Sequence, residues 1–289
     1  MSAVWQMIIS GVTSGSIYAL VGLGLGIIYN VSKVINLAQG EFLTWGALLL
    51  ISLTGWGLPL GAAIALAVIM TAGIGIIFER LAIRPAWKSS TTVLLIATLA
   101  VSIVFKGIAM IGWGKDPLSA PSFSGEEPVR VGQTVIATQV FWVVGVLILI
   151  AALSWYFFNR TLAGKAILAV SENRDAAALV GIDVRLSVLT AFALSAAVGA
   201  LAGAVIAPIT FVTYDSGTMI GLKGFIALTL GGMGSIWGGI IGGVLLGLVE
   251  ALGAGLISAQ YKDLIAFVLL IIVLYAKPAG ILSVSGKRV

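Results

Sequence analysis

The sequence predicts an all-α protein, a polytopic transmembrane helical bundle of about eight or nine spans with discontinuous or re-entrant segments. Three observations carry that expectation. Hydrophobic residues fill 60% of the 289 positions, and mean hydropathy is +1.16, whereas a soluble domain is about half apolar. Charged residues make up only 9% of the chain. One segment, residues 159–187, nevertheless gathers Arg160, Lys165, Glu172, Arg174, Asp175, Asp183 and Arg185, a density that no bilayer core tolerates.

Apolar runs fall at about 5–29, 38–54, 57–78, 92–113, 136–158, 188–211, 221–232, 236–256 and 263–277. A spanning helix needs about 20 apolar residues, so most of these runs are long enough and 221–232 is not. Arg80, Arg84 and Lys88 separate the third run from the fourth, and the basic residues of 159–187 separate the fifth from the sixth. The intervening loop from Lys115 to Arg130 carries Asp116, Glu126, Glu127 and prolines. Because basic loops stay in the cytoplasm, this pattern places the N-terminus outside. The tail with Lys277, Lys287 and Arg288 lies inside if 221–256 crosses twice or re-enters.

Composition also excludes functions. The long loops are too short to hold a nucleotide-binding domain, so an energy source would be another chain. Cysteine and histidine are absent, which removes thiol chemistry, histidine-held haem and iron–sulfur clusters. The net charge of +5 is spread over separate loops and reads as a topology signal, not as affinity for nucleic acid. The N-terminus lacks a basic leader and a small-residue cleavage site, so Met1 onward reads as mature protein. No nucleophile with a base and no phosphate-binding glycine loop is visible.

Glycine occurs 37 times, and several copies are four apart: Gly11 and Gly15, Gly22 and Gly26, Gly199 and Gly203, Gly239 and Gly243. This spacing lets helix backbones approach closely in lipid; the alternative is backbone that lines a pathway.

Three constellations stand out. In 159–187, Asn173 can cap a helix whose first turn holds Asp175, with Ala176 to Val180 helical and Gly181 just past the end. Such a helix is too short to be stable alone, so the membrane body or a partner's groove must hold it. In INLAQGEFLTWGA, residues 35–47, Asn36, Gln39, Gly40 and Glu41 head an apolar run. This suggests either a broken helix turned toward the interior or a loop at the cytoplasmic face. In GGMGSIWGGIIGG, residues 231–243, seven glycines in thirteen positions predict a break, with Ser235 capping the following helix. Isolated charges are expected to be quieter. Lys106 would snorkel outward past Trp113, Lys223 and Asp215 would be interfacial, and Glu250 would make a structural hydrogen bond.

These segments resemble the inner-membrane permease subunits of branched-chain amino acid ABC importers, the leucine/isoleucine/valine class, over essentially the whole chain. The resemblance rests on SGSIYALVGLGLGIIY, INLAQGEFLTWGA, TLAGKAILAVSENRDAAALVGIDV and GGMGSIWGGIIGGVLLGLVE. The family's early motif usually reads NFAHGE, so Gln39 stands where a histidine is usual and Leu37 where an aromatic residue is usual.

The resemblance implies one permease domain over residues 1–289, in the bacterial inner membrane and surrounded by lipid. It also implies pairing with a second, homologous or identical permease, two ATPase subunits that hold the ATP and Mg, and a periplasmic substrate-binding protein. Asn36, Gln39, Gly40, Glu41, Gly232, Gly234 and Ser235 would border the substrate pathway. Asn173, Arg174, Asp175, Ala176, Ala177, Leu179, Val180 and Gly181 would form the coupling element on the ATPase. Relatives of this class carry urea, short amides and aromatic acids as well as branched-chain amino acids.

The alternative is a self-sufficient secondary carrier or channel, which commonly needs ionisable groups at the midplane. Only Glu41 and Glu250 offer them, and such a carrier would leave the charged loop unexplained. A redox-complex subunit fits poorly with the lack of cysteine and histidine.

Overall fold

The structure, a computed structural model, describes residues 2–87, 89–125, 127–131, 134–233, 235–277 and 279–281. In chain order the helices are α1 (Ser2–Ser32), α2 (Gln39–Gly55), α3 (Leu60–Phe78, continued by a π turn over Glu79–Ile83), α4 (Thr91–Trp113) and α5 (Gln139–Arg160). They continue as α6 (Leu162–Glu172), α7 (Arg174–Leu179), α8 (Val184–Ile206), α9 (Ser216–Gly231), α10 (Ile236–Leu256) and α11 (Lys262–Ala276). A small antiparallel hairpin, β1 (Val129–Val131) and β2 (Thr134–Ile136), pairs Val129 with Ile136 in the loop between α4 and α5.

Each apolar run in the sequence became a helix, and among the described residues seven are long and apolar enough to cross a membrane. The other two are short: α2 has 17 residues and α9 has 16. The charged segment holds two helices where one was expected. Thr161 caps the first by accepting the Gly164 N–H at 3.0 Å, and Asn173 caps the second.

Helix α1 is the axis of the bundle and is buried over most of its length between α8, α9 and α10. The spaced glycines make this packing close. A Cβ on Gly11 would lie 2.9 Å from the Leu248 Cα, and one on Gly15 would lie 2.9 Å from the Gly243 carbonyl oxygen. Neither site has room for a side chain, so α1 and α10 meet backbone to backbone, as small residues allow in lipid. Helices α3, α4, α5 and α11 form the periphery and expose Ile69, Ile103, Ile148 and Ile271, a surface suited to hydrocarbon.

The chain breaks between α1 and α2. Lys33 takes φ +57° while its N–H still closes the last helical bond to the Tyr29 carbonyl (2.8 Å), and residues 34–38 return toward the centre without α-helical hydrogen bonds. Unpaired backbone groups are costly away from water, and here side chains satisfy three of them. The Val34 N–H donates to the Ser32 hydroxyl (3.1 Å), the Leu37 N–H to Thr98 (3.3 Å) and the Ala38 N–H to the Asn36 side-chain carbonyl (3.0 Å). Helix α2 then starts deep in the bundle. Gln39 bonds Ser195 and Glu41 bonds Ser102, and each serine has eleven residues on either side of it in a 23-residue helix. That is about 17 Å from either helix end at 1.5 Å per residue.

The start of α9 is tied to the same level, because the Gly217 N–H donates to the Thr44 hydroxyl at 2.8 Å. At the other glycine-rich break, α9 ends at Gly231, Gly232 takes φ +114°, and Ser235 accepts the Gly238 N–H at 3.2 Å to begin α10. The expected break with a serine cap is present.

Replacing Gly15 by leucine should destabilise the bundle by about 1–3 kcal/mol or more, as overpacked cores do. Gly61→Leu, at a site where a Cβ would meet nothing within 4 Å, should be neutral. Thermal unfolding of the purified protein in detergent, followed by size-exclusion chromatography, checks both.

Candidate functional site: a central polar junction and a charged loop

Four of the residues expected along the pathway lie together at the head of α2. Asn36, Gln39, Gly40 and Glu41 are all buried within the chain. The Ser195 hydroxyl lies 2.8 Å from both the Gln39 side-chain carbonyl and the Gly24 carbonyl, and the Gln39 amide donates to the Ser195 carbonyl at 3.3 Å. Gln39 thereby links α1, α2 and α8. Gly40 is obligatory, since a Cβ there would overlap the Gly217 carbonyl. This close approach brings α9 against the head of α2.

Glu41 is 1% exposed. One of its oxygens accepts from Ser102 (2.9 Å) and Thr218 (3.5 Å), with the Lys106 ammonium at 3.7 Å; the other oxygen is buried and unpaired. Lys106 therefore turns inward to the carboxylate and does not snorkel past Trp113. The physical reason is that a buried carboxylate needs a counter-charge more than the lysine needs water. Beside this group Phe42, Phe78 and Phe105 pack with ring centroids 6.0–6.2 Å apart, an apolar wall against a polar cluster.

Gly232 and Ser235 lie elsewhere. Gly239, in the helix that follows, abuts Gly22 of α1, whereas Gly24 faces Gln39. Two residues of helix turn about 200°, so α1 stands between the two groups. Gly234 lies outside the described residues.

A second charged cluster was missed in the sequence. Lys223 is buried within the chain and pairs with Glu250 on α10. It also lies 2.7 Å from Asp263 on α11 and 3.4 Å from the Tyr18 hydroxyl on α1. Lys262 reaches the same Glu250 at 3.9 Å. The signal was present: a lysine inside an apolar run has to find an opposite charge, and Glu250 lies inside another such run. Asp215, in contrast, accepts from the Thr213 hydroxyl at 2.7 Å in the bend before α9.

The loop helix α7 is closed at both ends. Asn173 accepts the Ala176 N–H at 3.0 Å, and Asp175 sits in the first turn. At the far end Gly181 takes φ +87°, its N–H donates to Ala178 and the Ile182 N–H donates to Ala177, both at 3.0 Å. This is the paired bonding of a Schellman motif. Leu179 and Val180 are 89% and 77% exposed, with Ala176 and Ala178 exposed beside them, while Ala177 is 4% exposed and packs inward. Ala177 thus holds the helix to the body, and the outward tip is Leu179 and Val180.

Arg174 is the anchor of this loop. Its guanidinium donates to the Val31 carbonyl at 2.8 Å and stacks 4.6 Å from the Trp87 ring centroid. Partial burial pulls the guanidinium below its ordinary value, opposed by Asp175, and it remains a cation.

A bundle of this length, with a broken helix at its centre and a capped helix presenting apolar residues from a charged loop, defines a multi-pass membrane transport subunit. The family described as branched-chain amino acid transport system / permease component matches residues 7–274, and the chain belongs to that family. The chain is 34% identical over 295 residues to the high-affinity branched-chain amino acid transport system permease protein LivH of Escherichia coli K12, covering 96% of this chain and 95% of that one. It is 32% identical over 293 residues to the corresponding permease protein BraD of Pseudomonas aeruginosa, with the same coverage. Among solved structures, PsaBC from Streptococcus pneumoniae in complex with Fab matches with a TM-score of 0.50 at 17% identity, covering 93% of this chain and 91% of that one. This last likeness concerns the fold alone.

Substituting Ser195 by alanine removes the hydroxyl that joins Gln39 to Gly24. The expected cost is about 1–3 kcal/mol, that of a buried polar group left unsatisfied. A lowered melting temperature of the purified protein, restored by Ser195→Thr, checks it.

Proposed function

We propose that this chain is the permease subunit of an ATP-driven importer in a bacterial inner membrane. It moves branched-chain amino acids, or related small polar solutes, into the cytoplasm. The observation that carries this reading is α7: a helix of one and a half turns, capped at both ends, offers Leu179 and Val180 to solvent from a charged loop. Exposed apolar residues on a rigid polar loop suit a groove on a partner. Family membership and the branched-chain substrates named for LivH and BraD support the solute class.

In this reading the loops bearing Arg84 and Arg174, which touch through Trp87, lie in the cytoplasm. The N-terminus is then outside and Lys277 inside. A second permease completes the pathway, two ATPase subunits with ATP and Mg grip the α7 helices, and a periplasmic protein delivers the solute. Closure of the ATPases displaces α7. Arg174 passes that displacement to the last turn of α1, and the next residues, 33–38, lead directly into the Asn36, Gln39 and Glu41 junction. The carboxylate of Glu41, with one oxygen unpaired, is the group that responds to solute or water when this junction opens.

Three outcomes test this. Leu179→Glu with Val180→Glu should lower ATP-dependent uptake at least about tenfold, the cost of about 1.4 kcal/mol at the docking contact, while the isolated permease keeps its melting temperature. Unchanged uptake would exclude α7 as the coupling element. Glu41→Gln keeps the size and the Ser102 contact, and it should depress uptake while the ATPase subunits still co-purify. Transport without ATP by the chain alone in liposomes would point instead to a self-sufficient carrier.

A further inference from the structure

The cluster at Lys223 and Glu250 adjoins a groove that the coupling mechanism does not use. Along α1, Gln6, Ser10 and Ser14 recur every fourth residue, so they form one polar stripe on one face. That stripe lines an open groove of about 360 Å³ whose other walls are Gly247 and Ala251 of α10 and Lys262 of α11. The volume lies within the range of small-molecule sites, about 300–1,000 Å³. The groove sits at the end of the bundle remote from α7, because α1 and α10 run antiparallel there and Gly11 meets Leu248.

The charges beside it are unevenly committed. Lys223 is held between Glu250 and Asp263, whereas among the described residues Lys262 makes the single, longer 3.9 Å contact to Glu250 and its side chain is 43% exposed. Lys262 and the 52% exposed Asp263 begin α11, at the start of the apolar span Ala259–Ala276. Charged groups at a span's end reach toward water, so this end of the groove is a polar setting.

We propose that this groove is a transit site for zwitterionic amino acids at the outer mouth of the pathway. The Lys262 ammonium takes the solute carboxylate, the hydroxyls of Ser10 and Ser14 with the Gln6 amide oxygen take its ammonium, and Gly247 and Ala251 lie against its aliphatic chain. Among the described residues no carboxylate side chain lines the groove, so the solute's ammonium is held by neutral groups alone. Such a site orients a solute without retaining it. The assignment rests on the importer reading given above.

The test uses the absence of cysteine from the chain. Ser10→Cys and Ser14→Cys each introduce one thiol into this subunit with little change in size. In the assembled transporter, with its ATPases and binding protein, a membrane-impermeant methanethiosulfonate should modify each thiol from outside and block uptake. Millimolar L-leucine should slow that modification, and 3-methylbutylamine, which lacks the carboxylate, should not. Adding Lys262→Gln should weaken the protection about tenfold, as loss of one charge-assisted hydrogen bond predicts, without changing the labelling rate in the absence of leucine. If either double variant does not assemble, protection with Lys262 retained decides alone. Leucine uptake with thiols that leucine does not protect, or protection unchanged by Lys262→Gln, overturns the site and leaves the importer reading standing. No leucine uptake by the unmodified complex overturns both.

Discussion

Backbone contact along α1 is the constraint on which the other arrangements depend. Where Gly11 and Gly15 meet Leu248 and Gly243, the two helices approach without intervening side chains. In lipid there is no hydrophobic force between helices, so such contact supplies much of their association. With α10 fixed in this way, α9 and α8 close on the remaining faces of α1. Polar groups on those helices then converge on Gly24, Gln39 and Ser195. The junction at the centre is a product of that packing and not an independent feature.

The same packing makes an interrupted helix affordable. Residues 33–38 would be untenable beside lipid because their backbone groups would lack partners. Enclosed among α1, α4 and α8, they find the side chains of Ser32, Asn36 and Thr98. Helix α2 can then begin halfway through the bundle and place Glu41 beside Ser102 and Thr218.

Much of this was legible in the chain. Apolar length gave each of the nine bundle helices among the described residues, and the Asn173 cap with Gly181 past the end marked α7, because capping depends on local geometry that residue type dictates. The Ser235 cap followed for the same reason. Other features depend on partners distant in sequence. Lys106 turns to Glu41, 65 residues away, and Lys223 turns to Glu250 and Asp263; neither pairing has a local signature. The inward face of Ala177 was hidden too, because a six-residue helix has too few positions to reveal which side is buried. Helix α6 escaped notice since its mixed composition resembles the loop around it.

The Arg174 contact gives the loop a mechanical character. A short helix tied only by its peptide links could tilt freely and dissipate any push it received. Here the guanidinium bonds the Val31 carbonyl and stacks on the Trp87 ring at once, so the loop helix, the final turn of α1 and the segment after α3 are fastened at a single point.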